Sequence, residues 1–303
     1  MNFDSVIEVK DLTKKFRGFQ LDIPELRIPK GFATALIGEN GAGKTTFMNI
    51  LSGIRLDYKG QLQFFGQWSD KERDRKGCPV KEQIGYTGTG NYYLPNWNVK
   101  QVREVSSMLF TNFHPERFDS YCEKLGVVSK AMGGKLKKVS DLSDGTKTKL
   151  MLATVLARDT DMLILDEPAS PLDPLMRDKL CELIHEYIDE GNGEKSVLFS
   201  THNISDMENV TDYAVIMEHG AIVEQGFVEE LKEKYVMVKG EAEDTQAAKQ
   251  FMYSMSSNNY GFEGICLAKD VDKLAGMDVQ LETPTLFQIS VAVMKANTSL
   301  KFA

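Results

Sequence analysis

Short apolar runs alternate with helical patterns from the N-terminus to about residue 220. The segments VIEVKDL, LDIPELRIP and FATALIG read as strands, and the last of them ends in a glycine-rich loop. After that loop, Phe47, Ile50, Leu51 and Ile54 recur at the spacing of one helix face. The later runs MLILDE and SVLFSTH are apolar enough to be buried strands. Buried strands that alternate with helices are typical of a parallel sheet covered on both faces, so we predict an α/β fold.

A different pattern occupies roughly residues 91–158, where aromatic, polar and charged residues are mixed. The stretches VKQVREVSSMLF and PERFDSYCEKLG show helical spacing, which predicts a helical subdomain between the strands. A later helix is predicted by an apolar stripe that stops at Gly191 and consists of Leu180, Leu183, Ile184, Tyr187 and Ile188.

The last part of the chain has weaker patterns. KYVMVKG reads as a strand, DTQAAKQFMYSM as a helix, and LFQISVAVMKA as a final amphipathic segment. We therefore expect two domains, a main α/β domain over residues 1–220 and a small α+β accessory domain over residues 221–303.

The composition is that of a folded protein without a general attraction to nucleic acid. Asp and Glu number 44 and Lys and Arg 36, which gives a formal net charge of −8. The longest nearly apolar stretch, residues 150–157, is far shorter than a membrane span, and MNFDSVIEVK lacks the pattern of a secretory signal. The four cysteines are scattered without metal-ligand spacing. We expect a cytoplasmic protein that binds no nucleic acid.

The glycine-rich loop, residues 38–45 with the sequence GENGAGKT, matches the phosphate-binding pattern G-x-x-x-x-G-K-[ST] between a strand and a helix. Its backbone N–H groups and the N-terminus of the following helix attract phosphate oxygens, and the lysine ammonium adds a full positive charge. This pattern predicts that ATP is bound here, with Mg²⁺ held in part by the hydroxyl of Thr45. The residues expected to contact the nucleotide are Gly38, Asn40, Gly41, Gly43, Lys44, Thr45 and Thr46.

Two acidic residues end the apolar strand at residues 162–167, MLILDE. A strand end beside the phosphate loop places Asp166 where it can bind Mg²⁺. Glu167 then comes next to the γ-phosphate, where a carboxylate can orient and deprotonate the attacking water. Glu167 is therefore the candidate general base.

LSDGT at residues 142–146 resembles the LSGGQ signature of ABC ATPases. The order of phosphate loop, signature, LILDE, SPLD and a strand ending in Thr201 and His202 is similar to that family over about residues 6–220. The resemblance implies a P-loop NTPase core of the ABC ATPase type with a helical subdomain. It also implies that the protein hydrolyses ATP.

The resemblance also implies roles for individual residues. Phe16 matches the aromatic residue that stacks on adenine, although a structural phenylalanine would also explain it. His202 matches the residue that contacts the γ-phosphate. Ser143 and Gly145 match positions that bind ATP held by a second subunit, and Asp173 matches a loop at that interface. The active unit implied is a homodimer or heterodimer that closes on ATP.

Three positions depart from the family pattern. Asp144 and Thr146 stand where the signature usually has Gly and Gln. Thr89 takes the place of a glutamine that ends the loop IGYTGT. Because threonine is shorter, we expect Thr89 to act as a contact of the membrane partner, and Thr89→Ala to change basal ATPase activity by less than about threefold. A flexible loop residue with no such role is the alternative.

The helical segment and the tail ETPTLFQISVAVMK are similar to bacterial exporter subunits whose membrane domains are separate proteins. The resemblance implies a transmembrane permease partner, a location at the cytoplasmic face of the cell membrane, and amphipathic or antimicrobial peptides as cargo. The alternatives are an importer motor subunit and a soluble ABC ATPase outside transport. Since every motif precedes Gly220, a chain ending there is expected to fold and bind ATP.

Overall fold

The structure is a computed structural model that describes residues 3–75, 78–88, 90, 92–127 and 136–301. Its strands are β1 (Ser5–Phe16), β2 (Phe19–Pro29), β3 (Ala33–Ile37), β4 (Lys59–Phe64), β5 (Trp68–Ser69), β6 (Ile84–Thr87), β7 (Met162–Leu165), β8 (Ser196–Thr201), β9 (Tyr213–Glu218), β10 (Ala221–Phe227), β11 (Tyr235–Glu241), β12 (Met252–Ser257), β13 (Gly261–Leu267) and β14 (Val279–Glu282). Its α-helices are α1 (Lys44–Leu51), α2 (Asp70–Arg73), α3 (Val80–Gln83), α4 (Val99–Leu109), α5 (Pro115–Lys124), α6 (Asp144–Leu156), α7 (Pro174–Glu190), α8 (Val228–Lys234), α9 (Thr245–Ala248) and α10 (Leu286–Lys301).

A six-stranded sheet in the order β10-β9-β3-β8-β7-β6 forms the centre of the fold. Its pairs are parallel except for the β9–β10 hairpin. Every residue of β3, β7, β8 and β9 is buried, as expected for parallel strands covered on both faces. The α/β fold predicted from the sequence is confirmed.

A separate antiparallel sheet in the order β2-β1-β4-β5 covers α1. The sequence pattern predicted the first two strands but not their assignment to a second sheet, because pairing with β4 is a long-range contact. The prediction for α1 was also too long. The helix ends at Leu51, and Ile54 lies beyond it with 57% of its surface exposed.

Within the range for which the sequence predicts a helical subdomain, the described residues include helices α4, α5 and α6, which pack against one another. Asn98 caps α4 through a reciprocal pair of bonds with Gln101, and Pro115 begins α5. Their buried faces meet at Val102, Phe118 and Leu150. Helix α7 ends at Glu190 with Gly191 as its C-cap, where the sequence pattern placed its end.

The tail forms a four-stranded antiparallel sheet in the order β12-β13-β11-β14. Helical turns connect β11 to β12 and β13 to β14, which is the βαββαβ arrangement of ferredoxin-like units. The helix predicted over DTQAAKQFMYSM is wrong in its second half, because α9 has 4 residues and Met252–Ser257 is strand β12. Pairing with β13 outweighs the local helical pattern there.

Helix α10 returns from the tail to the main domain. It contacts β9, β10 and α8, and Leu286, Ile289 and Ala292 are buried in the same core as the central sheet. The carboxylate of Glu208 accepts hydrogen bonds from the N–H groups of Leu286 and Phe287 at 2.8 and 3.4 Å. The boundary predicted between residues 220 and 221 falls in the turn of the β9–β10 hairpin.

None of the helices in the described part of the chain has both the length and the apolar character needed to cross a membrane.

Candidate active site

The phosphate loop connects β3 to α1 and is held by neighbouring backbone. Gly38 N–H donates to Thr201 O of β8 at 3.3 Å, and Gly220 N–H donates to Ala42 O at 2.9 Å. Gly43 has φ of 109°, and a Cβ there would lie 2.9 Å from Cζ of Phe19. Both the left-handed backbone and this close approach require glycine at position 43.

Lys44 begins α1, and its ammonium lies inside the loop. Nζ donates to Gly38 O at 2.7 Å and to Glu39 O at 3.2 Å, and it lies 3.4 Å from Oε1 of Glu167. Only 6% of the lysine is exposed. The loop therefore positions a buried positive charge beside Glu167, which lies two residues after the end of β7.

Asp166 follows β7 and is almost completely buried. Its Oδ1 accepts a hydrogen bond of 2.5 Å from Oγ of Ser200. Its Oδ2 is buried and accepts no hydrogen bond from any described residue. An ionised oxygen without a partner is costly in a protein interior, so this atom is suited to a cation.

Glu167 has an unusual backbone conformation, with φ of 50°. Its N–H donates to Oγ of Ser200 at 2.9 Å, and its Oε2 lies 2.8 Å from Nδ1 of His202. Left-handed backbone at a residue other than glycine costs about 1–3 kcal/mol and is found most often at functional sites. The carboxylate lies between Lys44 and His202.

A cleft of about 520 Å³ opens in front of these groups. Asn40, Asp166, Glu167 and His202 line it together with Lys147 of α6. The structure thus brings together residues from the phosphate loop, the ends of β7 and β8, and the signature helix. The volume of the cleft lies in the range of about 300–1,000 Å³ that is typical of ligand pockets.

Two tyrosines lie beside Gly88, which lines this cleft. A Cβ on Gly88 would lie 2.2 Å from Oη of Tyr86 and 2.6 Å from Oη of Tyr92. Burial raises the pKa of both phenols, and the charge of Asp166 adds to the shift. Both hydroxyls therefore stay protonated. Thr89, which follows Gly88, lies outside the described residues.

The other predicted site residues have these positions. Thr45 is exposed and Thr46 half-buried in the first turn of α1, and Asn40 and Gly41 lie at the exposed tip of the loop. No hydrogen bond within the described chain links Ser143, Gly145 or Asp173 to the groups around Glu167.

The signature forms the start of α6. Ser143 is its exposed N-cap and accepts a hydrogen bond from Thr146 N–H at 3.3 Å. A Cβ on Gly145 would lie 2.7 Å from the carbonyl oxygen of Pro171, so the helix packs closely against the SPLD segment. Asp173 is exposed and caps α7 through Met176 N–H.

Phe16 lies at the β1–β2 turn, with 39% of its surface exposed. Its ring is 6.1 Å from that of Phe19, which in turn contacts the phosphate loop at Gly43. Lys14 Nζ and Arg55 Cζ each lie 5.1 Å from the Phe16 ring centroid. The Phe16 ring therefore lies near the phosphate loop, with one cationic side chain from Lys14 and one from Arg55 beside it. The sequence alone did not indicate these two cation contacts.

Sequence reasoning also missed Ser200, which contacts both acids. The available signal was a hydroxyl in the otherwise apolar run SVLFST. Within the described ranges, no group of three or more His, Cys, Asp and Glu is placed to hold a metal alone. A metal at Asp166 would therefore need ligands of other kinds as well, such as a hydroxyl group, water or oxygens of a bound molecule.

Comparison with known proteins agrees with this geometry. Residues 21–170 match the sequence profile of the ABC transporter family. The chain is 30% identical over 209 residues to a lantibiotic transport ATP-binding protein of Streptococcus pyogenes, a match that covers 68% of this chain and 83% of the relative. It is 29% identical over 216 residues to a phosphonates import ATP-binding protein of Fusobacterium nucleatum, a match that covers 66% of this chain and 84% of the relative.

A much longer relative, ABC transporter A family member 11 of Dictyostelium discoideum, is 32% identical over 213 residues. That match covers 69% of this chain and only 24% of the relative. Among solved structures, the cbiO1 protein of Clostridium perfringens, part of the ABC transporter complex cbiONQ, superposes with a TM-score of 0.60 and 26% identity over 75% of this chain and 90% of that one.

The chain therefore belongs to the ABC transporter family, as an ATP-binding subunit with the family's ATPase fold. The family resemblance, the fold and the ATPase activity that the sequence predicted are confirmed.

Proposed function

We propose that this subunit is the motor of an exporter, in which two ATP-binding subunits close on ATP and drive transport through a separate membrane-spanning partner. The observation that carries the proposal is the arrangement at Glu167, whose carboxylate lies between Lys44 and His202 in a cleft of about 520 Å³. This arrangement supports hydrolysis of a phosphoanhydride by water.

Each group has a proposed role in that step. Glu167 accepts the proton of the attacking water as general base. Lys44 neutralises phosphate oxygens from inside the loop, and the loop N–H groups add hydrogen bonds. Nδ1 of His202 contacts Glu167, and in the doubly protonated imidazolium form Nε2 is a second donor that can bond a γ-phosphate oxygen. Phe16 offers its exposed ring to adenine.

The donor set also fits Mg²⁺. Asp166 presents a buried oxygen that has no hydrogen-bond partner among the described residues, and Thr45 presents an exposed hydroxyl at the start of α1. Oxygen ligands of this kind, completed by phosphate oxygens and water, are what Mg²⁺ prefers. When bound there, Mg²⁺ would neutralise charge that develops on the phosphate oxygens.

The exposed signature supports the dimer. Ser143 and Gly145 lie at the N-terminus of the 13-residue helix α6, where N–H groups and a hydroxyl can bind an anion. We propose that they contact the γ-phosphate of ATP held by the second subunit, with Asp173 at the same interface. ATP would then join the subunits, and hydrolysis would separate them.

The proposals of a membrane partner and of export are supported by two observations. At the C-terminal end of helix α4, Met108 has 83% of its surface exposed and Leu109 has 66%. These two side chains offer apolar surface to a partner. A relative of similar length is named for lantibiotic transport. We propose export of amphipathic or antimicrobial peptides from the cytoplasmic face of the membrane. The importer alternative has support from the phosphonates import relative.

Reconstitution tests direction and cargo together. The chain would be co-expressed with the membrane protein that co-purifies with it and placed in vesicles with the ATP-binding subunits outside. ATP should drive a fluorescent amphipathic cationic peptide into the lumen, and the Glu167→Gln variant should not. Release of preloaded peptide or phosphonate from the lumen would show import instead. ATP hydrolysis without any transport would contradict the exporter proposal.

A further inference from the structure

We infer that Ser200 is a positioning residue for ATP hydrolysis, because a single hydroxyl holds both the Asp166 carboxylate and the Glu167 backbone. The inference rests on the roles proposed above for these two acids. Ser200 is fully buried, so its hydroxyl has no access to solvent.

The direction of each hydrogen bond follows from the atoms involved. The N–H of Glu167 can only donate, so Ser200 Oγ accepts that bond at 2.9 Å. The one hydroxyl hydrogen is then free for Oδ1 of Asp166 at 2.5 Å. Bonds of this length are typical of a hydroxyl that donates to a carboxylate, and they are stronger than neutral ones.

The position of Ser200 in the sheet explains why it reaches both acids. Strand β8 lies between β3, which leads into the phosphate loop, and β7, which leads into the acids. Leu36 of β3 pairs with Ser200, and Leu165, the last residue of β7, pairs with Phe199. Ser200 is therefore level with Asp166, one residue beyond the paired end of β7.

The first consequence concerns the metal site. Since Ser200 occupies Oδ1 of Asp166, the remaining oxygen of the carboxylate is Oδ2. This atom is buried and accepts no hydrogen bond from the residues that the structure describes. Without the hydroxyl, the carboxylate would be free to rotate. A residue that orients a metal ligand in this way commonly changes metal affinity or activity by about 10–100-fold when it is removed.

The second consequence concerns the base. Glu167 has φ of 50°, a conformation that residues other than glycine rarely adopt. The bond from its N–H to Ser200 stabilises that conformation and directs the side chain between Lys44 and His202. Ser200 thus acts on hydrolysis through two residues and does not contact the substrate itself.

The test compares Ser200→Ala with Ser196→Ala. Ser196 lies in the same strand, is also fully buried, and accepts one hydrogen bond, from Gly31 N–H at 2.9 Å. Three quantities would be measured: Mn²⁺ affinity by electron paramagnetic resonance with a non-hydrolysable ATP analogue, binding of a fluorescent ATP analogue in EDTA, and kcat and KM for ATP.

For Ser200→Ala, Mn²⁺ affinity should fall by roughly tenfold or more and kcat by ~10–100-fold. Binding of the fluorescent analogue in EDTA should stay within about threefold of the parent, because the phosphate loop is intact. Ser196→Ala should stay within about threefold in every measurement. Ser200→Thr, which keeps the hydroxyl and suits a strand, should restore Mn²⁺ affinity.

Parent-like Mn²⁺ affinity and kcat in Ser200→Ala would overturn the inference. An equal loss in Ser196→Ala would do so as well, because it would show a general effect of strand β8. If Ser200→Ala does not fold, Ser200→Cys keeps nearly the same volume with a weak donor and should show the same loss.

Asp166→Asn separates this inference from the proposed function. Unchanged Mn²⁺ affinity in Asp166→Asn would show that the proposed metal site is wrong. If Asp166→Asn loses Mn²⁺ while Ser200→Ala keeps it, the metal site stands and only the role of Ser200 is wrong.

Discussion

Oε2 of Glu167 lies 2.8 Å from Nδ1 of His202, while Oε1 of the same carboxylate lies 3.4 Å from Nζ of Lys44. One side chain therefore connects the residue after β8 with the phosphate loop. These contacts join residues that are far apart in the chain, and they make Glu167 the most informative position to change.

Glu167→Gln should lower ATP turnover by at least ~100-fold, because an amide cannot accept the proton of the attacking water. Nucleotide binding should stay within about threefold of the parent, since the phosphate loop is unchanged. Phosphate release and binding of a fluorescent ATP analogue would be measured side by side. Size-exclusion chromatography with ATP should show more dimer for this variant. Turnover within about threefold of the parent would contradict the assignment of the base.

Lys44→Ala should lose nucleotide binding itself. The ammonium is the buried positive charge inside the loop, and nothing in an alanine side chain replaces it. The measurement is nucleotide affinity by titration, with Lys179→Ala as the control on the surface of α7. Normal affinity in Lys44→Ala would show that the loop amides bind the phosphates without the lysine.

Arg158→Ala should destabilise the contact between the signature helix and the central sheet. The buried guanidinium donates to Glu82 O at 3.0 Å, to Ile84 O at 3.3 Å and to the side chain of Asn112 at 3.1 Å, and it lies 4.0 Å from the ring centroid of Phe110. Since its removal leaves buried carbonyl groups without donors, the free energy of unfolding should fall by about 2–4 kcal/mol. Urea denaturation would measure this change.

The matched control for that prediction is Arg103→Ala. Arg103 forms a largely exposed ion pair with Asp119 in the same helical region, and such pairs contribute less than about 1 kcal/mol. If both variants lost the same free energy of unfolding, the buried contacts of Arg158 would contribute no more to stability than a surface ion pair.

A chain that ends at Gly220 should fail to fold stably, contrary to the expectation from the order of motifs. The truncation removes β10 from the central sheet and removes Leu286, Ile289 and Ala292 of α10 from the shared core. Thermal unfolding and solubility would be compared with those of the full chain. A soluble truncated chain with a cooperative unfolding transition and parent-like ATP affinity would show that the main domain is independent of the tail.

A smaller change tests the same interface. Glu208→Ala removes the acceptor for the first N–H groups of α10 and should lower the free energy of unfolding by about 1 kcal/mol. Glu229→Ala, on the exposed surface of α8, is the control and should have almost no effect.

The sequence by itself determined the features that depend on local pattern. The phosphate loop needs glycines and a lysine at fixed spacing between a strand and a helix, and the acids follow directly after an apolar strand. The helices α4, α5 and α7 follow from local apolar spacing and from their first and last residues. These signals lie within a few residues of one another, so no tertiary information was needed to find them.

Only the tertiary structure decided which distant residues meet. The pairing of β12 with β13 replaces a predicted helix, and α10 packs on β9 and β10, because burial and cross-strand hydrogen bonds outweigh local preference. Ser200 looks like an ordinary strand residue until β8 is placed between β3 and β7. Its hydroxyl then reaches both acids, since the register of a parallel sheet brings the carboxyl ends of neighbouring strands to one edge.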